Sequence, residues 1–173
     1  MSSHRYVLAL GSNVPHHRFG RPREVLRAAI ASLEKNGLMV ERVSPFMRSD
    51  PLGPSRRHYT NAAVLVSCGE EPRDLLTILK VIEHQFGRKR GGKRWGARVL
   101  DIDIILWDGG TWSCETLTVP HVSLRERDFV LRPAAAIAPD WRDPISGLKV
   151  KHLFSRLTRT RQMPSDPARG KGP

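Results

Sequence analysis

The chain has 173 residues, 39% of them apolar, a length that suits one domain with a real core and a composition that excludes a disordered chain. No uncharged apolar run approaches the roughly 20 residues that cross a bilayer, and Tyr6–Leu10 is too short for the core of a secretion signal, so a cytoplasmic protein is expected. Lys and Arg number 29 against 17 Asp and Glu, a net charge of +12 that points to an anionic partner, and Cys68 and Cys114 show no metal-binding spacing.

Residues 5–10 (RYVLAL) predict a strand ending at the Gly11-Ser12-Asn13 turn. Pro22 then opens a helix, where a residue without an N–H is tolerated in the first turn. Val25, Leu26, Ala29, Ile30 and Leu33 recur at helical spacing, and Gly37 marks the end. Residues 38–47 read as a strand, 49–58 as a Pro/Gly loop, and 60–68 (TNAAVLVSC) as a well-buried strand. Pro72 opens a second helix, with Leu75, Leu79, Ile82 and Phe86 on one stripe and Gly87 at its end. After a basic, glycine-containing loop, residues 99–107 (VLDIDIILW) form a strong strand. From 108 to 157 the chain reads as short pieces broken by Pro120, Pro133, Pro139 and Pro144. The order strand, helix, strand, strand, helix, strand predicts a split-βαβ, ferredoxin-like α+β fold. Both helices are expected on one face of an antiparallel sheet and the C-terminal segment on the other, three layers in all. One domain is expected over 1–157, then a basic Pro/Ser/Gly-rich tail, 158–173, that reads as disordered.

The sharpest chemical feature is Asp101-Ile102-Asp103. Strand alternation puts both carboxylates on one face, with Cα atoms roughly 7 Å apart, where they can share hard divalent cations such as Mg²⁺. On the same alternation Leu100, Ile102, Ile104 and Leu106 face away, while Ile105 and Trp107 continue the aspartate face. Acids on such an apolar stripe need a positive partner, either a metal or the cations just upstream, and the pattern leaves both open. Those cations fill Arg88–Arg98 (RKRGGKRWGAR), which holds six basic residues and no acid. Arg suits bidentate phosphate contacts, Gly91, Gly92 and Gly96 let the segment close over a ligand, and Trp95 can pack on a base or exclude water. A triphosphate needs both a divalent metal and surrounding cations. Neither GxxxxGK[ST] nor GxGxxG occurs. Tyr59 and Asn61 open a strand, where an aromatic can stack on a flat ring and an amide can read its edge. His16 and His17 have no third ligand spaced near them.

Seven segments, in order, resemble the 7,8-dihydro-6-hydroxymethylpterin pyrophosphokinase family: LALGSN (8–13), RSDPLGP (48–54), HYTNAAV (58–64), IEHQFGR (82–88), RWGARVLDIDIIL (94–106), VPH (119–121) and RDFVLRPAAAIAPDW (127–141). The resemblance implies a ferredoxin-like fold, ATP as co-substrate and two Mg²⁺ ions. It also implies transfer of the β,γ-pyrophosphoryl group to a reduced pterin, releasing AMP, in folate biosynthesis. By resemblance, Asp101 and Asp103 hold the metals. Tyr59 and Phe129 sandwich the pterin, Asn61 reads its edge with backbone near Ser49 and Leu52, and Arg127 lies near the same substrate. Arg88, Arg98 and His121 contact the ATP phosphates, Glu83 lies in the nucleotide site, and Arg90, Arg94 and Trp95 belong to the closing loop. Arg88, Arg94, Trp95 and Arg98 are thus the expected catalytic group, and no general base is named. ATP and the pterin are the expected partners of a monomer, with no membrane and no specific nucleic acid. An RNA-binding module of similar topology is the rival reading of the charge, but its pattern of aromatics on central strands is missing. The sequence departs from the family at Asp50, at Val122, and in the basic loop 15–23.

Overall fold

The computed structural model describes residues 3–50, 57–87 and 98–159. Its elements are β1 (His4–Ser12), α1 (Pro22–Lys35), β2 (Met39–Val43), β3 (Met47–Ser49), β4 (Tyr59–Cys68), α2 (Pro72–Gln85), β5 (Asp101–Trp107), β6 (Trp112–Cys114), β7 (Leu117–Val119), α3 (Asp128–Ile137) and α4 (Val150–Thr158). The main sheet runs β2-β4-β1-β5, with β3 also on β4 and every pairing antiparallel. This is the ferredoxin-like order expected from the element pattern.

Alternation along the strands builds a core on each face. Tyr6, Leu8 and Leu10 of β1 join Val64 and Val66 of β4 beneath α1 and α2, which contribute Val25, Leu26, Leu33, Leu75 and Leu79. Val7, Ala63 and Leu65 point the other way, beneath Leu131, Ala134 and Ile137 of α3 and Val150 of α4. Burying each such aliphatic side chain contributes about 1.5–3 kcal/mol relative to exposure. Both sheet-covering helices of the first layer start at their proline, and Gly37 (φ +88°) and Gly87 (φ +85°) follow their last turns.

Three local departures from the sequence reading bear on the site. The strand expected over 38–47 is two strands, interrupted at Ser44-Pro45. Pro45 cannot donate to the ladder, and Ser44 bonds Ala63 instead, its N–H to the carbonyl at 2.9 Å and its hydroxyl oxygen to the Ala63 N–H at 2.9 Å. Two helices, α3 and α4, replace the short pieces expected in the C-terminal third. α3 runs through Pro133, whose missing N–H and ring clash disfavour a helix interior. The buried stripe of Val130, Leu131, Ala134 and Ile137 outweighs that penalty.

The third departure is a β-bulge in β5. The register with β1 steps from Leu8–Ile104 to Val7–Leu106, leaving Ile105 as the extra residue. Beyond it the alternation inverts, so the expectation for Leu106 and Trp107 is corrected. Leu106 joins Ile105 in the core beneath α3 and α4, while Trp107 crosses to the opposite face. There its ring stacks on Tyr6 at 6.3 Å between centroids. Among the described residues no helix is long and apolar enough to cross a membrane. Of the expected tail, Thr158 closes α4, and residues from 160 onward lie outside the described residues.

Candidate active site

Three strand ends meet at one end of the sheet. Gly11, near the end of β1, pairs with Asp101 at the start of β5 and with Asn61 at the start of β4. A side chain at Gly11 would place a Cβ 3.4 Å from Asn61 Oδ1 and 3.8 Å from Tyr59, so glycine keeps this floor open. Above it lies a cleft of about 310 Å³, walled by β3, β4, β5 and the segment leading from β7 into α3.

One side of the cleft is ionic. Asp101, Asp103, Arg98 and His121 all line it. Arg98 Nη1 donates to Asp101 Oδ2 at 2.6 Å. The Arg98 backbone is itself clamped, its N–H to Asn13 Oδ1 at 2.8 Å and its carbonyl to the Asn13 N–H at 3.0 Å. His121 is placed by the bulge, since its N–H bonds the Ile105 carbonyl at 3.0 Å. Its Nδ1 accepts the Ser123 N–H at 3.1 Å, which puts the proton of a neutral ring on Nε2, 4.0 Å from Asp103 Oδ2. Burial first, and then repulsion from Asp101, lift the Asp103 carboxyl above the ordinary carboxylate range, against His121, Lys80 and Arg98.

The other side is aromatic and amide-bearing. Tyr59 from β4 and Phe129 from the first turn of α3 both line the cleft. Among the described residues the two rings make no direct contact with each other. Asn61 is buried and donates its Nδ2 to Ser49 Oγ at 2.7 Å, which fixes the amide with Oδ1 beside Gly11. The Arg127 guanidinium sits 5.8 Å from the Phe129 ring centroid. Asp50 and Val122 also line the cleft, and Asp50 Oδ1 lies 3.2 Å from His58 Nδ1.

Ten of the residues singled out from sequence are placed by the structure, and nine of them line this one cleft: Ser49, Tyr59, Asn61, Arg98, Asp101, Asp103, His121, Arg127 and Phe129. Glu83 stands apart. Its side chain is 1% exposed, accepting the Ile102 N–H at Oε1 (2.8 Å) and Lys80 Nζ at Oε2 (2.8 Å). It therefore reaches the cleft through the backbone between the two aspartates. Leu52, Arg88, Arg90, Arg94 and Trp95 lie outside the described residues. His16 and His17 line a separate hollow with Phe19 and Phe86, and among the described residues no cluster of three His, Cys, Asp or Glu could hold a metal.

Asn13 was read from sequence only as part of a turn, yet it aligns the Arg98 backbone. Asn13→Ala removes the acceptor of a part-buried N–H, a loss of about 1 kcal/mol in stability. Turnover is expected to fall about tenfold, the scale seen when an orienting partner is removed. Steady-state rates measured beside thermal unfolding check this, and parent turnover would show that the clamp is irrelevant to Arg98.

The fold is ferredoxin-like, and its cleft sets a carboxylate–cation side against an aromatic–amide side. Residues 7–139 match the sequence model of 7,8-dihydro-6-hydroxymethylpterin-pyrophosphokinase, and the chain belongs to this family. It is 39% identical over 165 residues to the 2-amino-4-hydroxy-6-hydroxymethyldihydropteridine pyrophosphokinase of Synechocystis, covering 95% of this chain and 82% of the relative. It is also 39% identical over 142 residues to the Pseudomonas aeruginosa protein of the same name, covering 81% of this chain and 84% of that one. The fold resembles the crystal structure of Plasmodium falciparum HPPK-DHPS A437G with SDX-DHP, with a TM-score of 0.70 at 14% identity. That match covers 90% of this chain and 45% of the solved chain.

Proposed function

We propose that this cleft carries out the family's reaction, in which the β,γ-pyrophosphoryl group of ATP passes to the hydroxymethyl oxygen of 6-hydroxymethyl-7,8-dihydropterin. The new bond is from that oxygen to Pβ, the Pα–O–Pβ bridge breaks, AMP leaves, and the hydroxyl proton is lost to solvent. The step belongs to folate biosynthesis. The observation that carries the reading is the division of one cleft into a carboxylate–cation side and an aromatic–amide side.

Tyr59 and Phe129 hold the pterin ring between them, and Asn61 Oδ1, fixed by Ser49, accepts from the donor edge of the ring. Arg127 and the backbone near Leu52 complete that side. Arg98 and His121 take phosphate oxygens, joined by Arg88 and Arg90, with Arg94 and Trp95 excluding water from the reacting groups. Glu83 serves the nucleotide side by holding β5 in place. Transfer of this kind depends on positioning and charge neutralisation more than on a strong base. The enzyme acts as a monomer on ATP and the pterin, in the cytoplasm where ATP is supplied.

The residues present fit two Mg²⁺ ions. Asp101 and Asp103 share a face, and burial together with the neighbouring Asp101 holds the Asp103 carboxyl above the ordinary range, as suits a site completed by a cation. Two carboxylates with no third protein ligand among the described residues suit a metal that keeps waters and substrate phosphates in its coordination shell. When bound, Mg²⁺ supplies neutralisation of charge on the phosphate oxygens.

Pterin-dependent formation of AMP from ATP tests the reaction directly. Tyr59→Ala and Phe129→Ala are each expected to weaken pterin binding by roughly fivefold or more, since an aromatic face is worth about 1 kcal/mol beyond its area burial. ATP affinity should change little. Calorimetry with the pterin and with a non-hydrolysable ATP analogue separates the two. Parent pterin affinity in both variants would remove the sandwich.

A further inference from the structure

Arg125 lies in the middle of the segment that forms one wall of the cleft, between His121 and Arg127, yet it does not line the cleft itself. Its guanidinium forks onto Asp143, Nε to Oδ2 at 2.7 Å and Nη2 to Oδ1 at 2.6 Å. Asp143 is fully buried in the turn between α3 and α4. It also accepts the backbone N–H groups of Ile145 (3.2 Å) and Ser146 (3.3 Å) and the Ser146 hydroxyl. That turn is closed by bonds from Asp143 N–H to the Leu148 carbonyl at 2.9 Å and from Gly147 N–H to the Asp143 carbonyl at 2.8 Å. Burial pushes the Asp143 carboxyl up, but Arg125, Ser146 and Ile145 more than offset this, and it titrates below the ordinary carboxylate range. A buried carboxylate with both oxygens occupied by a planar fork and by local donors is a rigid fixture.

The wall segment is held at separate points. His121 is tied to the Ile105 carbonyl, and Leu124 is fully buried in the core. Two residues beyond the Arg125 fork comes Arg127, and two beyond that Phe129. We infer that the Arg125–Asp143 pair is a positioning device for the pterin side of the cleft: it sets Arg127 and Phe129 against Tyr59 and so governs pterin affinity, while His121 keeps its own tether. The inference rests on the assignment of Arg127 and Phe129 to the pterin.

Arg125→Met keeps the length of the stem and removes the fork. In the full chain, steady-state assays should show the pterin KM raised roughly tenfold, the scale seen when a partner that orients a ligand-binding side chain is lost. The ATP KM should stay within about twofold of the parent, because the phosphate side is anchored independently. Asp143→Asn, which keeps the shape and loses the charge, should move the pterin KM in the same direction. In a Phe129→Ala background the effect of Arg125→Met on the pterin KM should shrink, because the two act through one ring. A lowered unfolding temperature with an unchanged pterin KM overturns the inference, as does an equal rise in both KM values. If Arg125→Met fails to fold, Arg125→Lys decides: it keeps the charge without the fork and should raise the pterin KM by a smaller factor, and a parent KM overturns the inference. Should Arg127→Ala and Phe129→Ala themselves leave the pterin KM untouched, the fault lies with the assignment of the pterin side.

Discussion

Asp101→Ala and Asp103→Ala are each expected to lower pterin-dependent AMP formation by about a thousandfold or more, because metal neutralisation of phosphoryl charge is worth several kcal/mol and each 1.36 kcal/mol is tenfold in rate. Both side chains line the cleft, so neither substitution leaves a hole in the core. Asp103 is charged at a disadvantage, its carboxyl lifted by burial and by Asp101. Removing the Asp103 charge from the metal-free protein therefore relieves repulsion and its unfolding temperature should hold or rise, while Asp101→Ala also gives up the part-exposed Arg98 ion pair and should leave stability nearly unchanged. The two outcomes together are diagnostic, since a variant that lost activity by misfolding would lose stability as well. Chelating the divalent metal should reduce the parent to the level of the variants and leave the variants unchanged. Parent-level, Mg²⁺-dependent activity in either variant would falsify the metal role.

The fold was legible wherever one periodicity dominated. β1 and β4 alternate against two buried faces, α1 and α2 carry apolar stripes at helical spacing, and each helix is bracketed by a proline and a glycine. The C-terminal third was not, because Pro133 reads as a helix breaker and its tolerance depends on the sheet that α3 covers. That sheet is assembled from distant segments, so no local window contains the competing energy. The register break in β5 has the same origin. In DIDIILW the consecutive Ile105 and Leu106 are compatible with either continued alternation or a bulge, and only pairing with β1 decides.

For the site, residue type, spacing and the family resemblance together singled out nine residues that line one cleft, and the sheet register explains why they converge. Asn61 and Asp101 are 40 positions apart in sequence, yet Gly11 pairs with both. Sequence did not reveal the supports. Asn13 reads as a turn residue, and nothing in the sequence around Arg125 or Asp143 marks either of them. Each works through a single long-range contact that leaves no local pattern. Glu83 shows the converse. Family resemblance places it with the nucleotide, and the structure shows its carboxylate buried and accepting the Ile102 N–H behind the two aspartates. A charged residue on the apolar stripe of α2, beside Ile82, was the available signal that it answered a buried donor.

Arg98→Ala is expected to move two measurements in opposite directions. The guanidinium donates to Asp101 Oδ2 at 2.6 Å, and its backbone is clamped by Asn13. A carboxylate oxygen engaged by a guanidinium is a poorer ligand for a cation, because the two positive groups compete for the same lone pairs. Removing Arg98 should therefore strengthen binding of a divalent cation to the free protein several-fold, read by calorimetry with Mn²⁺. Turnover should nonetheless fall by about 10²–10³, since a positioned arginine on a transferring phosphoryl group stabilises charge that develops in the transition state. On the proposed function, the phosphates of ATP would attract the guanidinium and leave the Asp101 carboxylate available to hold a divalent cation. Arg98→Lys should recover little of the rate, because a compact ammonium lacks the planar fork and cannot span the distance from carboxylate to phosphate in the same way. If cation affinity falls along with turnover in Arg98→Ala, the arginine supports the carboxylates rather than competing with the metal, and the exchange between Asp101 and phosphate is wrong.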